Sequence, residues 1–317
     1  MTEREIFHAA MLGGGGAPRL PRIEWAAWWD KTIARWEGEG FPKLGWEESQ
    51  RHFGLDIMRC LWVATDAPHI ADEADYERVR DHIFTQERIA SAVAHAQSLQ
   101  AGHARGDFTL RLAVDGFFWF PRRLFGIEPH MYAFYDSPEL MHRINSDLLA
   151  FHLRLLDQLF AVVTPDLFNL AEDMSYNHGP MLSQACFEEF LRPYYLPIAE
   201  KLKAHGVPFF VDTDGLVDQL VPWLLETGVE GFLPLERQSG VDVNALRAKY
   251  PQLLMLGGYD KMVMHQGEAA MRAEFERLLP LMRSGGFVAS VDHQTPPGVS
   301  FADYQLYIQL LHEYTEL

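Results

Sequence analysis

Carboxyl side chains recur in this sequence directly after short apolar runs, at the points where buried strands would end. The acids that share this position are Asp115, Glu172, Asp173, Asp212, Asp214, Glu236, Asp260 and Asp292. Like charges held close together raise one another's pKa values, so some of these groups are suited to act as general acids. The sequence contains no P-loop, G-x-S-x-G or H-E-x-x-H motif. The pattern therefore predicts acid–base chemistry without a nucleotide, a serine nucleophile or a zinc-peptidase centre.

His293 lies beside one of these acids and leads into a Pro-Pro-Gly turn at 296–298. An imidazole can donate a proton near neutral pH, and a neighbouring carboxylate can orient its ring. The alternative is a structural role, in which His293 only holds the turn. Oxygen-rich sites also suit hard cations such as magnesium, whereas Cys60 and Cys186 follow no predicted strand and exclude a zinc–thiolate site. We expect no bound functional metal.

The elements that must position these side chains are strands that alternate with helices. The predicted strands are Pro21–Trp25, Cys60–Ala64, Thr109–Asp115, Leu167–Ala171, Val207–Val211, Gly228–Leu235, Leu253–Leu256 and Phe287–Val291. Such alternation is typical of a parallel sheet, and polar residues at the carboxyl ends of the strands favour a (β/α)8 TIM barrel. A doubly wound sheet is the alternative, but no G-x-G-x-x-G follows a strand. The fold prediction is therefore α/β, a single barrel domain over residues 1–317.

Residues of about 1–60 are predicted to form a helical, tryptophan-rich extension and cap that contains Trp28, Trp29, Trp36 and Trp46. Packing against the barrel is one interpretation of this cluster, because aromatic side chains bury large areas. A stacking wall for a flat or apolar substrate is the other. Further helices are predicted at 72–105, from 138 to about 163, from Ser183 and from Ser300, where Ser300 and Asp303 have the spacing of a capping box.

The net charge of −17 argues against a nucleic-acid partner and against anionic membranes. No apolar run approaches the length of roughly 18 residues that a membrane span needs, and the first residues lack the basic start of a signal peptide. We expect a cytoplasmic protein.

The loop that follows Glu172 and Asp173 carries Gly179-Pro180-Met181-Leu182-Ser183, and the chain continues with Pro193-Tyr194-Tyr195, Asp214-Gly215, 257–261 (GGYDK) and Gly285-Gly286 up to His293. Together these motifs resemble the uroporphyrinogen decarboxylase superfamily, most clearly over the C-terminal half. The resemblance implies a (β/α)8 barrel. It also implies one of two activities, tetrapyrrole decarboxylation or corrinoid-linked methyl transfer.

The resemblance is closer to the methyltransferase-like members than to true decarboxylases. The arginine-rich R-Q-A-G-R signature of the decarboxylases is absent, Val63 stands where their catalytic aspartate is expected, and their active-site tyrosine has no counterpart between Gly116 and His130. Thiol-methylating members hold zinc through a His-x-Cys pair and a later cysteine. Here Asp212-Thr213-Asp214 takes the place of His-x-Cys, so we expect no activation of a thiol by zinc in this chain.

The leading hypothesis is a methyltransferase that moves a methyl group between a small neutral or cationic substrate and a corrinoid (cobalamin) on a separate partner protein. The alternatives are a cofactor-independent decarboxylase and a non-catalytic barrel that acts as a binding protein. No cofactor is expected to bind tightly, and the oligomeric state is left open, with a homodimer as one choice. The predicted catalytic residues are His293, Asp173, Asp212 and Asp214. The predicted substrate contacts are Glu172, Asp115, Trp119, Arg122, Glu236 and Asp292.

Overall fold

The computed structural model describes residues 1–13 and 16–316. Its strands are β1 (Met58–Val63), β2 (Thr109–Asp115), β3 (Leu167–Ala171), β4 (Ser175–Tyr176), β5 (Gly179–Pro180), β6 (Phe209–Asp212), β7 (Gly231–Leu233), β8 (Leu254–Tyr259) and β9 (Phe287–Val291). The predictions for β2, β3 and β9 are confirmed to the residue. The strands β6 and β7 are shorter than predicted. Strand β6 begins after Pro208 and β7 ends before Pro234, because a proline lacks the N–H that would extend the ladder, and Gly228 lies in the turn that precedes β7.

The α-helices are α1 (Glu3–His8), α2 (Asp30–Gly38), α3 (Trp46–His52), α4 (Glu73–Ile83), α5 (Gln86–Arg105), α6 (Trp119–Phe125), α7 (Ile127–Asp136), α8 (Pro138–Phe160), α9 (Gln184–Phe190), α10 (Arg192–Ala204), α11 (Leu220–Leu225), α12 (Val243–Lys249), α13 (Glu268–Ser284) and α14 (Phe301–Thr315). The predicted helix over 72–105 is interrupted before Gln86, because the Thr85 hydroxyl accepts a hydrogen bond from the N–H of Arg88 and starts a new helix. Within residues 1–13 and 16–316, no helix has the length and apolar character needed to cross a membrane.

The strand predicted at Pro21–Trp25 is wrong. Its polar groups bond to side chains and loops instead of a ladder: the Trp25 indole donates to the carbonyl of Val291 at 2.7 Å, and the Arg22 carbonyl accepts from the N–H of Asp56 at 2.8 Å. Pro21 has no N–H to offer a neighbouring strand. The described residues therefore supply seven strands of the parallel type rather than about eight.

The chain divides into two compact units, each drawn from separate stretches of sequence. The central unit comprises Cys60–Ala104 and Leu110–Glu230. Within it β2 pairs in parallel with β3, and β3 with β6. Both faces of β2 and β3 are buried, which explains why these strands are nearly continuous apolar runs. The helix α8 begins with Pro138 in its first turn and buries one apolar face along its 23 residues.

The terminal unit comprises Met1–Arg59, Arg105–Thr109 and Gly231–Leu317. Within it β7 pairs in parallel with β8, and β8 with β9. Trp36 is fully buried, and its ring centroid lies 4.5 Å from that of Tyr304 on α14. The ring centroids of Trp28 and Trp46 lie 4.6 Å apart. The predicted capping box of Ser300 and Asp303 starts α14. These contacts favour a packing role for the tryptophan cluster over a role as a wall of the substrate pocket. That residues of about 1–60 form an extension and cap stays a prediction.

The α/β class and the parallel pairing are confirmed. Closure into a single eight-stranded barrel domain stays a prediction.

Candidate active site

The carboxyl ends of three strands lie level with one another in the central unit. Asp115 at the end of β2 is the register partner of Ala171 on β3, and Ala171 is the partner of Asp212 on β6. Glu172 and Asp173 follow Ala171 directly, and both of their N–H groups donate to the carbonyl of Asp212. The structure thus brings Asp115, Glu172, Asp173 and Asp212 to one edge of this sheet.

Glu172 is completely buried, and the protein supplies donors to both of its carboxylate oxygens. Oε1 accepts from the N–H of Phe117 at 2.9 Å and from the hydroxyl of Tyr195; Oε2 accepts from the N–H groups of Phe118 at 2.7 Å and Trp119 at 3.2 Å. The carboxylate lies directly over Gly116, where a Cβ would come within 2.1 Å of Cδ. Only glycine leaves room for the acid at this position.

Burial raises the pKa of Glu172 to about 7, and the hydrogen bonds from Tyr195 and from the backbone oppose that rise. With no exposed surface and four donors in place, this carboxyl group fixes the turn before α6. The substrate contact predicted for Glu172 stays a prediction.

Asp173 is placed very differently. Its backbone adopts a φ of 45°, in the left-handed region that residues other than glycine rarely occupy. Its Oδ2 pairs with the Arg122 guanidinium at 2.5 Å, and Arg122 also donates to the Asp173 carbonyl at 2.9 Å. The side chain is 40% exposed, and its Oδ1 accepts no hydrogen bond within the described part of the chain. Asp173 is therefore a fixed carboxylate with one oxygen available to a ligand.

Arg122 connects Asp173 to the first turn of α6. The guanidinium carbon lies 4.4 Å from the centroid of the Trp119 ring, in cation–π geometry. The Trp119 N–H in turn donates to Glu172. Glu172, Trp119, Arg122 and Asp173 thus form one connected set, which we call the Glu172 cluster. Three predicted substrate contacts, Glu172, Trp119 and Arg122, belong to it.

Asp115 is also fully buried. Its Oδ2 accepts from the Thr65 N–H at 2.7 Å, the Thr65 hydroxyl at 2.6 Å and the Arg123 guanidinium at 3.0 Å. The cation and the two neutral donors offset the charge of this acid. The substrate contact predicted for Asp115 is untested by these contacts.

Asp212 and Asp214 are half-buried and flank Thr213, whose hydroxyl accepts from the N–H of Met174 at 3.0 Å. Among residues 1–13 and 16–316, no three His, Cys, Asp or Glu side chains are grouped closely enough to hold a metal ion. The catalytic roles predicted for Asp212 and Asp214 stay predictions.

A second set of polar groups lies in the terminal unit, at the end of β9. Asp292 is fully buried and accepts from the N–H of Arg237 at 2.8 Å and from the N–H and Nζ of Lys261 at 3.1 and 3.2 Å. Lys261 Nζ also donates to Gln238 at 2.7 Å and lies 3.4 Å from Glu236. Burial raises the pKa of Asp292 to about 6, and the charge of Lys261 opposes the rise.

Glu24, also in the terminal unit, is a buried acid to which sequence reasoning assigned no role. It accepts from the Tyr304 hydroxyl at 2.7 Å and the Ser290 hydroxyl at 2.8 Å, and burial raises its pKa to about 7. Its position between the apolar residues Ile23 and Trp25 is the sequence feature that could have indicated a buried acid.

The sequence model for the family described as uroporphyrinogen decarboxylase (URO-D) matches residues 66–314. The chain belongs to this family. The predicted resemblance is therefore confirmed, and the family is one of enzymes.

The chain is also similar to solved structures. A methyltransferase from Methanosarcina mazei is 13% identical and aligns with a TM-score of 0.69 over 99% of this chain and 99% of its own. A protein described as a vitamin-B12-independent methionine synthase from Listeria monocytogenes is 12% identical, with a TM-score of 0.49 over 94% of this chain and 98% of its own. No functionally curated protein matches the sequence at a significant level.

In this URO-D family member, neighbouring cationic side chains offset the charges of three of the predicted acids. Arg123 offsets Asp115, Arg122 offsets Asp173, and Lys261 offsets Asp292. Sequence reasoning named Arg122 but assigned no role to Lys261. The motif GGYDK at 257–261 was the signal that could have revealed it.

His293 follows Asp292 and is half-buried. It belongs to the terminal unit, whereas Asp173, Asp212 and Asp214 belong to the central unit. Its proposed role as proton donor stays a prediction. Glu236 is half-buried and accepts from the Ser239 hydroxyl at 2.9 Å, and its predicted contact with substrate is likewise untested.

Proposed function

We propose that this protein is a methyltransferase that moves a methyl group from a small neutral or cationic substrate to a corrinoid on a separate partner protein. The observation that carries the proposal is the geometry of Asp173, a half-exposed carboxylate in a strained backbone conformation. Strained residues of this kind cluster at functional sites. Family membership and the fold shared with a methyltransferase support the reaction class.

The charges of the two polar sets favour a neutral substrate over a cationic one. Each buried acid already has a cation or several neutral donors, so little uncompensated negative charge is left to attract a positive ligand. Arg122 is itself only 10% exposed and committed to Asp173, so it is poorly placed to bind a carboxylate of the substrate. The commitment of Arg122 disfavours a polycarboxylate such as uroporphyrinogen.

A zinc ion does not fit the residues that stand at the zinc-binding positions of the thiol-methylating relatives. Asp212 and Asp214 offer hard oxygen ligands where soft thiolate and imidazole ligands would be required. We therefore derive no step through zinc.

Methyl transfer requires this chain to hold the substrate and to supply a proton. A reduced corrinoid on the partner would supply the electron pair for a new bond to the methyl carbon. The electron pair of the broken bond would stay on the leaving oxygen or nitrogen, which would take up a proton from this chain and depart as an alcohol or amine. We assign the proton donor to His293 and propose that Asp173 binds or orients the substrate. Asp212 and Asp214 are the further candidates for proton transfer. We also propose a cytoplasmic location, where a reduced partner could be maintained.

The test is an anaerobic assay with a reduced corrinoid protein and a panel of methyl ethers and methylamines, followed through the cobalt absorption spectrum. We expect methylation with at least one neutral donor and a large loss of rate in Asp173→Asn. This substitution keeps the size of the side chain and removes its charge. A spectrum unchanged by every donor would refute the proposal.

The second candidate is a cofactor-independent decarboxylase, which the family match itself favours. Release of carbon dioxide from a carboxylated substrate without any corrinoid protein would establish it.

A further inference from the structure

Several buried polar side chains of the central unit have atoms without the hydrogen bonds that burial normally requires, and two of these side chains lie on adjacent strands. Asn169 in the middle of β3 is fully buried, and neither its Nδ2 nor its Oδ1 bonds to any described residue. Oδ1 of Asp115 is buried in the same way, although Oδ2 accepts three bonds. Most buried polar groups in folded proteins have a partner, so two such side chains on adjacent strands need an explanation.

These two side chains lie on the same face of the sheet. Ala113 pairs with Asn169 and Asp115 pairs with Ala171, and residues two apart on a strand share a face. The opposite face carries Phe168, which packs through Phe209 toward helix α10. Asn169 and Asp115 therefore point away from α10.

Between β2 and β3, each of these polar side chains has an alanine as its register partner: Ala113 for Asn169 and Ala171 for Asp115. On its other side, Asn169 has the buried Phe210 of β6 as its register partner. The two polar residues are diagonal neighbours across β2 and β3, close enough for one small group to reach both.

We propose that Asp115 Oδ1 and Asn169 form a subsite for a neutral hydroxyl group of the substrate. A hydroxyl donates one hydrogen bond and accepts another, which matches the acceptor on Asp115 and the Nδ2 donor on Asn169. An ammonium group fits less well, because it cannot accept from Nδ2 and because Arg123, 3.0 Å from Asp115, already offsets the negative charge. The inference rests on the proposed function for the methyl group, and it narrows the substrate to a small methyl ether with a free hydroxyl.

Binding of two matched probes tests the subsite without turnover. The probes are 2-methoxyethanol and 1,2-dimethoxyethane, which differ by methylation of the hydroxyl, and saturation-transfer NMR measures their affinities for the full chain. We expect the first to bind about ten-fold or more tightly, because the second cannot donate to Asp115. We expect Asn169→Leu to abolish this preference. Equal affinities in the unsubstituted protein, or no detectable binding of either probe, would overturn the proposal.

Stability separates a ligand-binding role from a structural one. Leucine has nearly the shape of asparagine but no unpaired polar atoms, so Asn169→Leu should raise the midpoint of urea unfolding. The control is Asn145→Leu, because Asn145 is equally buried but donates to the carbonyl of Phe190 at 3.0 Å and should lose stability. A fall in the midpoint for Asn169→Leu would show that its amide is paired in the folded protein, which contradicts the subsite.

The two proposals can fail separately. Hydroxyl-dependent binding with no methyl transfer to any corrinoid protein would leave the subsite standing and refute the proposed function. Methyl transfer at equal rates from matched donors with and without a hydroxyl would support the proposed function and refute the subsite.

Discussion

Replacing Tyr195 with phenylalanine removes one hydrogen bond from the buried carboxyl group of Glu172 and leaves the aromatic packing in place. The Tyr195 ring is fully buried, and its centroid lies 5.7 Å from that of Phe117 and 5.8 Å from that of Phe209. After the substitution, Oε1 of Glu172 keeps only the N–H of Phe117. Any change in stability therefore reports on this hydrogen bond.

The size of the loss should depend on pH, because Glu172 has a pKa of about 7 in the folded protein. A hydrogen bond to a charged group contributes about 1.5–3 kcal/mol, and one between neutral groups about 0.5–1.5 kcal/mol. An acid with a raised folded-state pKa destabilises the fold as the pH rises from about 4.3 toward that pKa. Losing the Tyr195 donor raises the pKa of Glu172 further, so the extra loss appears above about pH 7. We expect Tyr195→Phe to cost about 1 kcal/mol at about pH 5.5 and about 2 kcal/mol at about pH 9.

Urea unfolding at the two pH values measures both costs. The control is Tyr259→Phe, because the buried Tyr259 hydroxyl faces the neutral carbonyl of Met271 at 3.5 Å and its loss should not depend on pH through that contact. Equal costs for Tyr195→Phe at the two pH values would refute the reasoning that it bonds an ionising carboxyl group.

Asp173→Gly should change the free energy of unfolding by less than about 1 kcal/mol, because relief of the strained left-handed backbone offsets the lost ion pair with Arg122. Turnover should fall by about 10²-fold or more. Urea unfolding measures the first effect, and the cobalt assay measures the second. His293→Ala should fold normally and lower turnover by about 10²–10⁴-fold. Near-normal turnover of His293→Gln, with thermal destabilisation of His293→Ala, would instead show that His293 only holds the following turn. Lys261→Met leaves Asp292 buried without its cation, so we expect a loss of about 3 kcal/mol above about pH 6 that shrinks at lower pH as Asp292 becomes protonated. A pH-independent loss in urea unfolding would contradict this account.

The parts of the fold that sequence predicts well are those specified by neighbouring residues. The run Leu167–Ala171 is apolar, short and closed by two acids, and it is β3 with the predicted bounds. Ser183 caps α9 by accepting from the N–H of Cys186 at 3.2 Å, as its position predicts. Pro21–Trp25 has the composition of a strand, but its hydrogen bonds go to distant groups such as the carbonyl of Val291. The local sequence pattern therefore predicted a strand wrongly.

Only part of the candidate site could be predicted from the sequence, because the rest depends on contacts between distant residues. Sequence pattern placed Glu172 and Asp173 at the end of a strand, but it could not distinguish a buried acid with four donors from a half-exposed one. That difference depends on Tyr195, 23 residues later, and on backbone N–H groups more than 50 residues earlier. Asn169 was hidden inside an apolar run, because whether a polar side chain finds a partner depends on the adjacent strands.

The division of the chain into two units has a consequence for synthesis on the ribosome. The central unit is complete once residue 230 has emerged, whereas the terminal unit combines Met1–Arg59 with Gly231–Leu317. Two contacts within the terminal unit illustrate the dependence: the N–H of Leu20 donates to the carbonyl of Thr315, and the N–H of Gly286 to that of Ala10, both at 2.8 Å. Because translation is vectorial at about 5–20 residues per second, residues 1–59 must wait on the order of tens of seconds for their partners at 231–317. During that interval the aromatic side chains of Trp28 and Trp36 lack Tyr304, so nascent chains should depend on chaperones over residues 1–59 more than over the central unit.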